Sequence, residues 1–174
     1  MKILFLITFE SVRITLVDDD KPINDCVVDG NNVGLYPSGV EIVQAFLKYM
    51  EKEQKLLIGR PTAERFIRQW KNTGVYPEQA GVHKVKGRDL TTGFPATRNI
   101  TDDQIRGAIM PTITQILKQG AFRIMSLMRK HELPQAIQIL LLGDWSTLSG
   151  LKDTLASLDL WKDYEITEVN IITG

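Results

Sequence analysis

The chain of 174 residues is 43% hydrophobic and 24% charged, which is the balance of one globular domain, or of a domain with a small inserted lobe, and excludes a disordered, collagenous or coiled-coil chain. Its 21 basic residues cancel 21 acidic ones, so no net field gathers phosphates and nucleic-acid binding is not expected. One cysteine, Cys26, and two histidines can build neither an internal disulfide nor an ordinary structural zinc site, so a cytoplasmic, metal-free protein is expected.

Residues 1–9, MKILFLITF, are too short for an export signal, lack a small-residue cleavage site and run straight into Glu10. No window approaches 18 consecutive apolar residues, so no membrane insertion is expected. Residues 3–9 read instead as a buried strand. Residues 13–17, RITLV, form a second strand and residues 23–28 a third, with Asp18, Asp19, Asp20, Lys21 and Pro22 supplying hairpin-turn chemistry between them. Three consecutive aspartates suggest a metal site, but turn carboxylates ordinarily bond their own backbone. After a bend at residues 29–34, Ser38 is placed to cap a helix whose apolar residues Val40, Ile42, Val43, Phe46, Leu47 and Met50 recur at helical spacing.

The elements then shorten. Pro61 and Thr62 open a helix through Ala63, Phe66, Ile67 and Trp70, which Asn72 and Gly74 end. Two β-rich segments follow at residues 83–89 and 94–100, joined by Thr91, Thr92 and Gly93. The pattern describes a small lobe, residues 56–100, inserted into a larger one, residues 1–55 and 101–174. Thr101, Asp102 and Asp103 start a helix with Ile105, Ala108, Ile109, Ile113, Ile116 and Leu117 on its apolar face, and Pro111 is expected to kink it. A second helix, with Phe122, Met125 and Met128, is predicted to run to His131, where Pro134 closes it. Residues 137–142, IQILLL, read as a central strand covered on both faces, residues 148–158 as a helix and residues 164–169 as the last strand. Together these elements make an α/β fold with a mixed sheet and flanking helices.

Judged from its residues alone, the chain carries no glycine-rich phosphate loop, no nucleophile elbow and no histidine with an evident carboxylate partner. His83 and His131 read as structural or solvated, and Cys26 as small core filler.

Residues 87–95, GRDLTTGFP, followed by residues 100–111, resemble the second-lobe segment of MreB, the rod-shape-determining bacterial actin family, where a similar hairpin leads into a long helix. Residues 56–64, LLIGRPTAE, are similar to the family's LLIG, two residues, TAE segment. Val33 with Gly34, and residues 148–151, LSGL, agree in order. The resemblance covers nearly the whole chain but only the second half, domain II, of an actin-like ATPase. It implies an actin-like, RNase H-like mixed sheet with flanking helices and a small inserted α+β lobe.

In that family the first hairpin reads aspartate, isoleucine, three glycines, two threonines and aspartate. Its backbone curls around the nucleotide phosphates, and its leading aspartate serves the metal's water shell. The matching residues here are Leu6, Ile7, Thr8, Phe9, Glu10, Ser11, Val12 and Arg13. Non-glycine residues forced into glycine conformations cost about 1–3 kcal/mol each, and Glu10 would face a polyphosphate with like charge. The family's second nucleotide loop, a triple glycine, becomes Gly143, Asp144 and Trp145. The glycine, glycine, aspartate before the first helix becomes Gly34, Leu35 and Tyr36. Trp145 and Tyr36 are large enough to fill the space of a nucleotide. Glu64 and Gly143 form at most a vestigial nucleotide lip, with either Ile67 or Arg68 aligned to the family's basic contact.

The resemblance therefore implies a pseudo-ATPase, not an enzyme, with neither cofactor nor metal: a scaffold or partner-binding protein linked to the bacterial cytoskeleton, cell shape or division. Its partners would be MreB-like filaments, copies of itself, or another shape or division protein. The candidate contacts are Arg88, Asp89 and Phe94 on the small-lobe hairpin and Trp145 on the exposed former cleft. The alternative is one half of a split actin-like ATPase that binds nucleotide only with a second chain. An RNase H-like nuclease is disfavoured, because Leu6 occupies the usual acidic position.

Overall fold

The computed structural model describes residues 2–8, 12–18, 21–29, 38–73, 81–130, 136–143, 145–146, 148, 150–159 and 165–172. Its elements in chain order are β1 (Lys2–Ile7), β2 (Val12–Asp18), β3 (Lys21–Asp29), α1 (Ser38–Lys52), β4 (Leu56–Leu57), α2 (Arg60–Thr73), β5 (Val82–Asp89), β6 (Pro95–Thr101), α3 (Asp102–Lys130), β7 (Ala136–Leu142), α4 (Leu151–Ala156) and β8 (Glu165–Ile172). They form two compact units, residues 1–39 with 114–174, and residues 40–113.

The first unit is built on a five-stranded sheet in the order β3-β2-β1-β7-β8. β1, β2 and β3 pair antiparallel, while β7 lies parallel to both β1 and β8. The two central strands alternate. Ile3, Phe5 and Ile7 on β1, and Ile137, Ile139 and Leu141 on β7, are buried. The pairing register sets Ile14, Phe5 and Leu141 side by side across three strands, and Leu16, Ile3 and Ile139 beside them. Each such side chain contributes about 1.5–3 kcal/mol by leaving water, so a slip of one residue would expose the whole row. On α3 the residues Ile116, Leu117, Ala121, Ile124, Met125 and Met128 are buried. This mixed sheet with flanking helices is the expected actin-like, RNase H-like arrangement.

In the second unit, β4, β5 and β6 form a separate antiparallel sheet in that order. Phe46 of α1 stacks on Phe66 of α2 with ring centroids 5.0 Å apart. Ile42, Met50, Ile67, Trp70, Val85, Ile100, Ile105 and Ile109 complete the core. Strand β5 alternates strictly: Val85 is buried, whereas Val82, Lys84, Lys86 and Arg88 are exposed.

Two helices differ from the sequence expectation. Residues 102–130 form one helix of 29 residues rather than two. Pro111 deprives the Gly107 carbonyl of its N–H donor, but Gly107 is exposed, so water can satisfy it. Phe122, grouped with Met125 and Met128 in the second predicted helix, is 63% exposed, whereas those two are buried. The helix expected at residues 148–158 starts only at Leu151, because its N-cap Gly150 is left-handed, with φ 85°. Ahead of it the N–H groups of Leu148 and Leu151 close turns onto the Trp145 and Leu148 carbonyls. Asp19, Asp20, Tyr36 and His131 lie outside the described residues, as does the side chain of Cys26.

Candidate functional site

At the end of β7, Gly143 adopts φ +89°. A Cβ there would stand 2.7 Å from the Ile7 carbonyl oxygen, so the turn can close on β1 only without a side chain. The same carbonyl accepts the Trp145 N–H at 3.2 Å. The Gly143 carbonyl accepts the Ser146 N–H at 3.1 Å and the Ser146 hydroxyl at 2.8 Å. The turn thus presents main chain beside Leu6, which is 36% exposed at the end of β1. Trp145 corrects the expectation of a partner contact on an exposed cleft: it is 0% exposed. A large indole gains more by filling the interior of its unit than by standing in water.

Glu64 lies on α2. Its carboxylate sits 3.3 Å from Arg68 Nη2, one helical turn on, with side-chain exposures of 41% and 46%. An exposed pair at this spacing is worth about 0.3–0.5 kcal/mol. With Pro61, Arg65 and Gln69 it lines a shallow groove of about 420 Å³.

The β5–β6 hairpin is organised from Asp89. Its Oδ1 accepts the N–H groups of Thr91 at 2.8 Å and Thr92 at 3.0 Å, and its Oδ2 accepts Arg98 Nη2 at 2.5 Å. The Thr92 N–H, then Arg98, then the Thr91 N–H hold this carboxyl well below the usual range, at about 2. Arg98 Nε also donates to the Gln54 carbonyl at 3.2 Å, and Arg88 Nε to the Gly93 carbonyl at 2.9 Å. Asp89 is therefore occupied inside the hairpin, while Phe94, 72% exposed, and Leu90, 45% exposed, stand out from its tip. Of the four predicted contacts, only Arg88 and Phe94 come together on an open surface.

The reading of His83 as lacking a carboxylate partner is corrected. Its Nε2 lies 2.6 Å from Asp102 Oδ1, which also accepts Trp70 Nε1–H at 2.7 Å; Asp102 Oδ2 accepts the Gly81 N–H at 2.5 Å. Burial works to raise the Asp102 pKa, but the Gly81, His83 and Trp70 hydrogen bonds outweigh it and hold the group low. Phe66 meets the His83 ring edge-on at 5.9 Å. The cluster ties α2, β5 and the start of α3 together. His83 and Asp102 stand 19 positions apart, which hid the pair from a reading by local spacing. The helix start itself was visible: Thr101 and Gln104 bond reciprocally as a capping box.

Among the described residues, no cluster of three or more His, Cys, Asp or Glu could hold a metal ion, and no helix is long and apolar enough to cross a membrane.

A model of the MreB/Mbl protein family matches residues 27–159. The chain is similar to the cell shape-determining protein Mbl of Bacillus subtilis (strain 168), being 26% identical over 122 residues that cover 68% of this chain and 36% of Mbl. The fold superposes on MreB5 of Spiroplasma citri bound to AMPPNP with a TM-score of 0.68, at 14% identity, over 98% of this chain and 47% of that one. The superposition on MreB5 bound to ADP gives a TM-score of 0.66, again at 14% identity, over 99% and 48%. The chain spans less than half the length of each of these relatives. These findings overturn the expectation that the protein is not an enzyme, because relatives sharing the fold were solved with AMPPNP and ADP bound. That expectation rested on lost side chains and glycines. Phosphates are held largely by main-chain N–H groups, which almost every residue carries, and Phe9, Glu10 and Ser11 lie outside the described residues.

Proposed function

The chain belongs to the MreB/Mbl protein family, and from that premise we propose that it forms the second half of an actin-like unit of a bacterial cell-shape system, completing a nucleotide site together with a half that carries the phosphate loop. The observation that carries this reading is the MreB5 fold with AMPPNP bound, which extends over 98% of the chain. The Gly143 turn supports it. Left-handed glycine backbone next to the end of β1 is the kind of surface that a nucleotide can approach closely. In this reading the substituted residues 6–13 shift phosphate binding onto the complementary half. The test is calorimetry with magnesium-ATP on the chain alone and mixed with the separately purified first half of Bacillus subtilis Mbl. Binding and phosphate release that appear only in the mixture are expected; a mixture that does neither overturns the proposal.

The exposed hairpin tip favours a second role, contact with a protein partner, whether a copy of this chain or an MreB-like filament. A 72%-exposed phenylalanine on a hairpin braced by Asp89, Arg98 and Arg88 is a rigid apolar anchor. Phe94→Ser is expected to reduce self-association in sedimentation runs without lowering the melting temperature.

A further inference from the structure

The sheet β4-β5-β6 turns His83 and Val85 toward Phe66 and the core of its unit and leaves its other face open. On that face β5 presents Val82, Lys84, Lys86 and Arg88, all exposed. Opposite them in the register stand Thr101, Asn99, Thr97 and Pro95 of β6, exposed and uncharged. Leu57 of β4, paired with Arg88, is 49% exposed. Among the described residues the face therefore carries three cations and no carboxylate, in a chain whose charges cancel. Same-face residues along a strand recur about every 6.8 Å, so the cations form one short row.

A face kept charged for solubility mixes both signs. Here the nearby acids are engaged elsewhere, Asp89 with Arg98, Thr91 and Thr92, and Asp102 with Trp70, Gly81 and His83. None of the three cations is in an ion pair with a described residue. The row is also held in a fixed geometry. Gly87, between Lys86 and Arg88, lets β4 lie directly against β5, and the Arg88–Gly93 bond ties the row to the hairpin turn.

We propose that this face binds an acidic segment of a partner protein, with carboxylates against Lys84, Lys86 and Arg88 and apolar side chains against Val82 and Leu57. Charge complementarity selects an acidic ligand, and three further features select a protein. Three cations fall short of the roughly four to eight that make a polybasic lipid-binding cluster. A net charge of zero supplies no field to steer a nucleic acid. Apolar residues at both ends of the row call for side chains on the ligand, which a phosphate chain lacks.

The inference deepens the partner-binding reading and is independent of nucleotide. Its test is fluorescence anisotropy with a labelled peptide of alternating glutamate and threonine flanked by leucines, beside the same peptide with glutamine for glutamate. The glutamate peptide is expected to bind in a salt-sensitive way and the glutamine peptide at least about ten-fold more weakly. Lys84→Glu with Lys86→Glu should abolish binding, and Lys84→Gln with Lys86→Gln should weaken it, each with an unchanged circular-dichroism melt. No binding, equal binding of both peptides, or tighter binding to phosphatidylserine vesicles or an oligothymidylate would overturn the proposal. Sedimentation of the unliganded chain reads self-association separately, so absent peptide binding with intact self-association overturns this inference alone.

Discussion

A methyl group on Gly87 would lie 2.5 Å from the Leu57 carbonyl oxygen and 2.7 Å from Ile58 Cγ2. A backbone oxygen cannot rotate away as a side-chain end does, so Gly87→Ala should force β4 off β5 at a cost of about 1–3 kcal/mol. Urea unfolding would measure the loss, and faster hydrogen exchange at Leu57 and Arg88 would locate it. Gly87 sits inside β5 opposite Ala96. The turn glycine is Gly93, with φ +77°. The GRDL segment was legible as a family motif, but the reason its glycine is required, the approach of a neighbouring strand, was not. Asp89 makes a prediction of a different kind. Its folded pKa, about 2, lies below the ordinary aspartate value, so the hairpin network is complete above about pH 4 and is lost as pH falls through about 2. Amide exchange at Thr91 and Thr92 should accelerate across that acid window. In Asp89→Asn it should be fast throughout and no longer follow the carboxyl titration.

Among elements, α3 departs most from what its sequence suggests. The sequence reads as two successive helices here, but the chain runs through as one, and a Cβ at Gly120 would collide with Cδ1 of Ile14, which is fully buried on β2. The glycine therefore allows the helix to lie close against the sheet, and the buried residues on either side of it outweigh the roughly 1 kcal/mol that glycine costs in a helix interior. Gly120→Ala regains that propensity yet overpacks the contact, so a net loss of about 1 kcal/mol is expected. Ile14→Val removes the colliding methyl group, and the double variant should recover most of the loss, which a double-mutant cycle of unfolding free energies would show. The strands were more legible. Alternation on β1 and the apolar run of β7 follow from burial, and the capped start of α3 from local hydrogen bonding. The two-residue β4 has no period of its own, and the late start of α4 depends on the left-handed Gly150; neither could be read from pattern.

For the molecule as a whole, sequence showed the lineage and misjudged the chemistry. The motifs at residues 56–64 and 87–95 pointed to the family that matches residues 27–159. The inference of a dead nucleotide site came from substitutions at residues 6–13. On the proposed reading, in which the site is shared with a complementary half, one half's side chains do not decide the matter, because the other half's phosphate loop would contribute its own donors. Linkage gives this a measurable form. A ligand that binds only the folded, paired state stabilises it by RT ln(1 + [L]/Kd), about 2.7 kcal/mol at a hundredfold excess over Kd. For chains of this size that corresponds to a rise in Tm of roughly 5–10 °C. Magnesium-ATP should therefore leave the melting of this chain unchanged, and raise it by that amount once the first half of Mbl is present. Gly143→Ala, which brings a methyl group against Ile7 at a left-handed position, should diminish the rise more than it lowers the nucleotide-free Tm. A shift of equal size in the chain alone would place the whole site within these 174 residues, and no shift in either sample would remove nucleotide from its function.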